Sequence, residues 1–309
     1  MSYPSDYVKI RESTFYNDKV NRDLRIVTVS DIHISERVAL ESIDKLLKVI
    51  ESNNPDYIFI LGDIIDTPQE LTYKKRLLEL DVLMNNCSNF APTFIIIGNH
   101  DYYYDRESNT MILSDIWENY ERFSNIHLLK DKTYTDDNLF IGGYMQKGNA
   151  YFQKGTNKED EFAFYTDLSQ IDSLVKDLPE DKYKIFLTHS PEPIKYFLNK
   201  ELLKDYNLIM AGHYHGGVVP SFLESIVPAN SGILTPRRMK FPDEARGIVK
   251  LDTGTYLIYN GGWTKIPNCA KDIMKPFDVF FNRDLDVTTI TNNYEYYDSL
   301  VKTKKLKIK

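Results

Sequence analysis

Five times along this chain a largely apolar run stops at a carboxylate, a histidine or both. Residues 24–29 lead into Ser30-Asp31-Ile32-His33, and 57–61 into Gly62-Asp63. The run 94–97 leads into Gly98-Asn99-His100-Asp101, 184–187 into Thr188-His189, and 208–211 into Gly212-His213-Tyr214-His215-Gly216-Gly217. Short uninterrupted apolar runs of this length suit strands buried on both faces, as in a parallel sheet. In open α/β sheets the crevice beyond the carboxyl ends of the strands is where ligands bind. A fold that buries these runs side by side therefore gathers their polar ends along one rim.

The rest of the chain supplies what such sheets need. Helical spacing of apolar residues predicts helices over 36–52 (Ala39, Ile43, Leu46, Leu47, Ile50) and around 73–84 (Tyr73, Leu77, Leu80, Met84). Two more are predicted over 109–121 (Leu113, Ile116, Trp117, Tyr120) and 168–178, the last stopped by Pro179. Strand, helix, strand, helix, strand implies crossover connections and parallel pairing. Residues 7–16 alternate weakly and predict an edge strand, and 126–129 and 139–141 predict short strands. Beyond 217 the pattern turns β-rich: 247–251, 256–259 and 286–291 read as antiparallel strands completing a second sheet. Residues 146–162 read as a surface loop, and the basic end 302–309 as a solvated tail. No repeat or linker divides the chain. The expectation is one α/β domain over 1–309, two packed mixed sheets flanked by helices, with its core at about 24–291 and a C-terminal extension.

Composition narrows the function. The formal charge of -7 disfavours non-specific nucleic-acid binding. The two cysteines, Cys87 and Cys269, have no partners at metal-site spacing and suit a reducing compartment. The first eight residues lack the apolar core of a signal peptide, and no stretch approaches the ~20 apolar residues of a membrane span. The expected location is the cytoplasm.

Five of the six histidines, His33, His100, His189, His213 and His215, fall within a few residues of a predicted strand end; His127 sits inside a short strand and receives no role. Joined there by Asp31, Asp63, Asn99 and Asp101, they would be costly to bury together unless something satisfied them. Metal ions do so. Imidazole with carboxylate suits manganese, iron or zinc, and the lack of thiolates disfavours an all-sulfur structural zinc site. Seven candidate ligands exceed the needs of one ion and suffice for two ions sharing a carboxylate. Such a pair, ~3.5–4 Å apart, clamps the attacking and leaving oxygens of a displacement at phosphorus.

Asp-x-His at 31–33, Gly-Asp at 62–63, Gly-Asn-His-Asp at 98–101, His189 and Gly-His-x-His at 212–215 together resemble the calcineurin-like metallophosphoesterase family. The resemblance implies a four-layer α/β sandwich and a dinuclear metal centre. It implies that Asp31, His33 and His215 hold one ion and Asn99, His189 and His213 the other, with Asp63 bridging. His100 would face the phosphate and protonate the leaving oxygen, and Asp101 would orient the His100 ring. The Gly-His-x-His-Gly-Gly ending, with Tyr259-Asn260-Gly261-Gly262 downstream, is similar to a bacterial branch containing phosphodiesterases, some acting on lipid or envelope phosphoesters. The expected substrate is a small-molecule, lipid or nucleotide phosphoester, with a diester favoured over a monoester. A nuclease, a protein phosphatase or a non-catalytic scaffold are the alternatives. Tyr102, Tyr103 and Tyr104 are candidates to wall the substrate pocket, and Arg237 and Arg238 to reach a phosphate.

Overall fold

In the strand Tyr57–Leu61, Tyr57, Phe59 and Leu61 face one core while Ile58 and Ile60 face another. The period of two sorts the whole chain into layers in this way. The computed structural model describes residues 7–36, 40–105, 110–146, 168–192, 194, 200–235, 240–266, 274–294 and 301–307. In chain order its elements are β1 (Tyr7–Tyr16), β2 (Leu24–Val29), α1 (Leu40–Ser52), β3 (Tyr57–Leu61), α2 (Lys74–Phe90) and β4 (Thr93–Ile96). Then follow β5 (Tyr102–Asp105), β6 (Thr110–Leu113), α3 (Ile116–Asn119), β7 (Ile126–Leu128), β8 (Lys132–Thr135) and β9 (Leu139–Tyr144). The last are α4 (Leu168–Val175), β10 (Tyr183–Thr188), β11 (Leu208–Ala211), β12 (Gly247–Lys250), β13 (Tyr256–Tyr259), β14 (Arg283–Thr291) and β15 (Val301–Lys307).

One sheet runs β15-β1-β14-β2-β3-β4-β7 and the second β12-β13-β11-β10-β9-β8. The strands that carry the motifs lie inside each sheet in parallel, β2-β3-β4 in the first and β10-β11 in the second. Between the sheets pack Leu24, Phe59, Phe94 and Ile96 from one side and Ile141, Ile185, Leu187 and Met210 from the other. On the outer face of the first sheet Val27, Ile58, Ile60 and Ile95 meet Ile43, Leu46 and Ile50 of α1 and Leu80, Leu83 and Met84 of α2. On the outer face of the second, Phe186, Ile209 and Leu257 meet Ile171 and Leu174 of α4. This is the four-layer α/β arrangement. Phe59 is fully buried and meets Phe94 edge-to-face at 5.7 Å. Phe59→Ala is expected to destabilise the protein by about 3–5 kcal/mol, read as a lower denaturation midpoint at unchanged slope.

Four expectations change. Residues 110–113 are not helical: β6 pairs antiparallel with β5, and only Ile116–Asn119 is α-helix, followed by a 3₁₀ turn at Tyr120–Arg122. Cross-strand pairing and the β-branched Thr110 and Ile112 outweigh the helical spacing, although Trp117 and Tyr120 still reach the core. Strand β14 joins the first sheet, parallel to β1 and antiparallel to β2, rather than the second. The basic end is not a tail: β15 is the edge strand beside β1, with Lys302, Lys304, Lys305 and Lys307 exposed. Charged edges of this kind block further strand addition. On α2, Tyr73 lies outside the buried stripe at 60% exposure, while Arg76 is buried against Glu70 and Glu79. His127 stacks on Phe94 at 4.8 Å, a packing role. Residues 147–162, Arg237, Arg238 and Cys269 lie outside the described residues.

Candidate metal centre

The carboxyl ends of β2, β3, β4, β10 and β11 meet at one rim, and the backbone there is unusual. Asp31, His33, Asp63, His213 and His215 all have positive φ, between 48° and 69°. Such a conformation disfavours any residue but glycine and is tolerated where surrounding structure enforces it, commonly at functional sites. Gly98 shows how tight the rim is: a Cβ there would overlap the Asp63 carboxylate.

The side chains form three overlapping clusters: two share Asp63, and the third, His33 with Asp66 and His100, shares His33 with the first. Donor atoms of Asp31, His33, Asp63 and His215 lie within 4.8 Å of one another, as do those of Asp63, His189 and His213. Asp63 Oδ2 is 3.8 Å from His33 Nε2 and 3.3 Å from His189 Nε2. Asp31 Oδ1 is 3.5 Å from His215 Nε2. Asn99 Oδ1 stands 3.2 Å, and His213 Nδ1 3.1 Å, from His189 Nε2. All seven candidate ligands are thus brought together.

Carbonyls outside the clusters orient the rings. His189 Nδ1 is 2.6 Å from the Leu61 oxygen and His215 Nδ1 is 2.7 Å from that of Thr264. This leaves Nε2 of each ring on the inner side, the arrangement found for ligating histidines. Burial, reinforced by the neighbouring rings, holds His33 and His213 well below the usual imidazole range, so both are neutral, as ligands must be. Burial opposes the charge on Asp63, but the charges of His189 and His100 prevail and hold it well below the carboxylate range. Against its own burial, His189 is raised to about 9 by Asp63.

The donor set fits divalent cations. Asp31 Oδ1, Asp63 Oδ2 and both ring nitrogens of His33 are buried without a hydrogen-bond partner among the described residues. Left so, these atoms would cost free energy; a cation recovers it for the two oxygens and one nitrogen of His33, whose Nδ1 faces the Asp66 carboxylate at 3.5 Å.

Two positions behave differently from expectation. Asp101 does not hold the His100 ring. Its carboxylate accepts the backbone N–H groups of Gly98 (2.8 Å), Ile64 (3.0 Å) and Ile65 (3.2 Å), and burial pushes its pKa up to about 7. It ties the loop after β4 to the loop after β3. The His100 ring instead places Nδ1 2.6 Å from the Asp66 carbonyl, and the His100 backbone N–H donates to Asp63 Oδ1 at 2.8 Å. The reason is packing between loops: the Asp101 carboxylate is drawn to amides of the loop after β3 as well as to Gly98, while His100 stays half-buried beside it. Tyr102 is buried and reaches the Gln146 carbonyl, and Tyr103 is exposed.

Two residues were missed from the sequence. The Asp66 carboxylate lies 3.5 Å from His33 Nδ1, and its only sequence signal is its place three residues after Asp63. Asn260, noted before only as part of a Gly-Gly motif, accepts from Ser30 Oγ (2.8 Å) and Gly262 N–H (3.0 Å) and donates to Asp286 (2.7 Å). The same hydroxyl lies against Asp31 Oδ2, so its one proton is shared between the asparagine and the aspartate. Asn260→Ala is expected to weaken metal affinity about 10–100-fold through Asp31, measured by chelator competition.

Fold and joined clusters define a protein built to hold metal ions where two sheets meet. Residues 24–217 match the family model described as calcineurin-like phosphoesterase, and the chain belongs to that family. A metallophosphoesterase of Campylobacter jejuni is 27% identical over 205 residues, covering 66% of this chain and 47% of that one. The chain spans about half the length of the first such relatives, those of Campylobacter and Helicobacter. The Chlamydia muridarum protein named UDP-2,3-diacylglucosamine pyrophosphatase LpxG is 25% identical over 281 residues, 79% of each chain. A solved dimetal phosphatase from Danio rerio overlays with a TM-score of 0.49 at 12% identity, covering 80% of this chain and 90% of that one. Among the described residues no helix is long and apolar enough to cross a membrane.

Proposed function

We propose that the protein hydrolyses a phosphoester whose phosphorus carries two substituents, a diester or a pyrophosphate diester. The observation that carries this reading is the pair of histidine–carboxylate clusters joined at Asp63, with buried donor atoms left unsatisfied. Asp31, His33 and His215 would hold one divalent cation, Asn99, His189 and His213 the other, and Asp63 both. The cations would supply positive charge against the phosphoryl oxygens and make hydroxide available at neutral pH. Manganese, iron or zinc suits these ligands.

His100 acts on the leaving group. With Nδ1 engaged by the Asp66 carbonyl, the imidazolium form carries its second proton on Nε2 and gives it to the departing oxygen. Asp66 and Asp101 are positioning residues: one fixes the His100 ring through its carbonyl, the other fixes the loop that carries it. The preference for two substituents is supported by the relative named as a pyrophosphatase, which aligns along most of its length.

The test uses chelated protein given manganese, iron, zinc or magnesium, assayed on a bis(aryl) and an aryl phosphate. Metal-restored turnover with the diester ahead is expected. A monoester preference would overturn the substrate assignment, and two bound ions without turnover of either would overturn hydrolysis.

A further inference from the structure

The space between the sheets is apolar at Phe59, Ile185 and Met210, but beyond β2 its character reverses. On β1, Val8 and Ile10 face the helix-side core, and on β14 so do Leu285 and Val287. Strand alternation therefore turns Lys9 and Arg11, with Asp284 and Asp286, toward the opposite face. The register places Lys9 beside Asp284 and Arg11 beside Asp286. These side chains line a cavity of about 330 Å³, to which the connection between β11 and β12 adds Glu224, Asn230 and Arg246. Its size lies at the lower end of small-molecule sites. It is distinct from the metal centre yet shares a wall with it: Gly216 follows His215, and Lys265 follows Thr264, whose carbonyl holds the His215 ring.

The charges in the wall do not balance. Lys9 pairs with Glu224 at 3.3 Å, Arg11 with both oxygens of Asp286 at 2.6 and 2.7 Å, and Lys265 with Asp284 at 2.8 Å. The fourth cation, Arg246, makes no ion pair among the described residues: Glu224 and Asp284 attract it from farther off, and each is paired with a lysine. One of its terminal nitrogens donates to the carbonyls of Val227 (3.0 Å) and Pro228 (3.1 Å), and its Nε–H is buried without an acceptor. A guanidinium presents a fork of donors that matches the paired oxygens of a carboxylate or phosphate. One such group would satisfy the open donor and neutralise the one unpaired charge.

We propose that this cavity is a second ligand site, for a small molecule that presents one oxyanion, a phosphate or a carboxylate, to Arg246. The inference rests on the cavity and its charges and not on the assignment of the metal ligands.

The probes are inorganic phosphate and acetate, titrated by calorimetry into the metal-loaded full chain. Wild type is expected to bind two phosphates per chain, one at the metals and one in the cavity. Arg246→Met should retain the first and weaken the second about tenfold or more. Asp63→Ala should lose the first and retain the second, so failure of the metal reading and failure of the cavity reading give different patterns. Thr303→Glu, an exposed edge-strand change at the cavity wall opposite Arg11, adds a carboxylate that repels an oxyanion and should abolish cavity binding with Arg246 intact. It decides the matter if Arg246→Met is unfolded by circular dichroism. Acetate competing for the cavity phosphate identifies a carboxylate ligand, and phosphate alone a phosphorylated one. A single phosphate in wild type, or a cavity phosphate unaffected by Thr303→Glu, would overturn the proposal.

Discussion

Replacing Asp63 with alanine is expected to leave fewer than two metal ions per chain and to slow phosphoester hydrolysis by about 10³-fold or more. That exceeds the 10–100-fold usual for a residue that only orients a ligand. Asp63 is the member that joins the group of Asp31, His33 and His215 to that of His189 and His213. Its Oδ2 lies near both His33 and His189 and has no hydrogen-bond partner among the described residues, while Oδ1 accepts the His100 backbone N–H. Removing the carboxylate deletes a negative charge from between groups that would otherwise face two cations across low-dielectric surroundings. Elemental analysis after gel filtration reads the stoichiometry, and steady-state assays read the rate. Two tightly held ions in Asp63→Ala would show that the carboxylate does not join the sites.

His100→Ala should behave in the opposite way, keeping both ions and losing turnover. A loss of about 10²–10⁴-fold is expected on a substrate whose leaving alkoxide needs a proton, in the range of general acid catalysis. On an activated aryl phosphate, whose leaving group departs unprotonated, the loss should be far smaller. The contrast follows from geometry. His100 packs edge-on to His33 at 4.7 Å and groups with His33 and Asp66, yet its Nδ1 is occupied by the Asp66 carbonyl and it belongs to neither cluster that contains Asp63. Equal losses on both substrates would remove leaving-group protonation from its role. Loss of an ion would make it a ligand.

The site was legible because each motif is a local event. A buried strand, a turn and a polar residue within a few positions can be read from Ile96-Ile97-Gly98-Asn99-His100 without knowing any neighbour. Asn260 was not legible as a supporting residue. Its partners Ser30 and Asp286 lie far away in the chain, and an asparagine before two glycines also reads as an ordinary turn. The same limit explains Asp101. Its neighbourhood with His100 in sequence suggested a pair, but hydrogen bonding is settled by loop closure, which turns its carboxylate to backbone amides. The helix expected over 109–121 failed in part for a related reason, since the partner that made residues 110–113 a strand is β5.

By itself the amino-acid order determined which runs are buried, where they end, and that aspartate, asparagine and histidine stand at those ends. These follow from periodicity and side-chain chemistry, which act over a few residues. Only the tertiary structure decided which sheet takes β14, that the lysine-rich end is an edge strand, and which carbonyl holds each imidazole. Those outcomes depend on strand pairing and hydrogen bonds between distant segments, and such bonds go to whichever donors and acceptors the finished packing brings within reach.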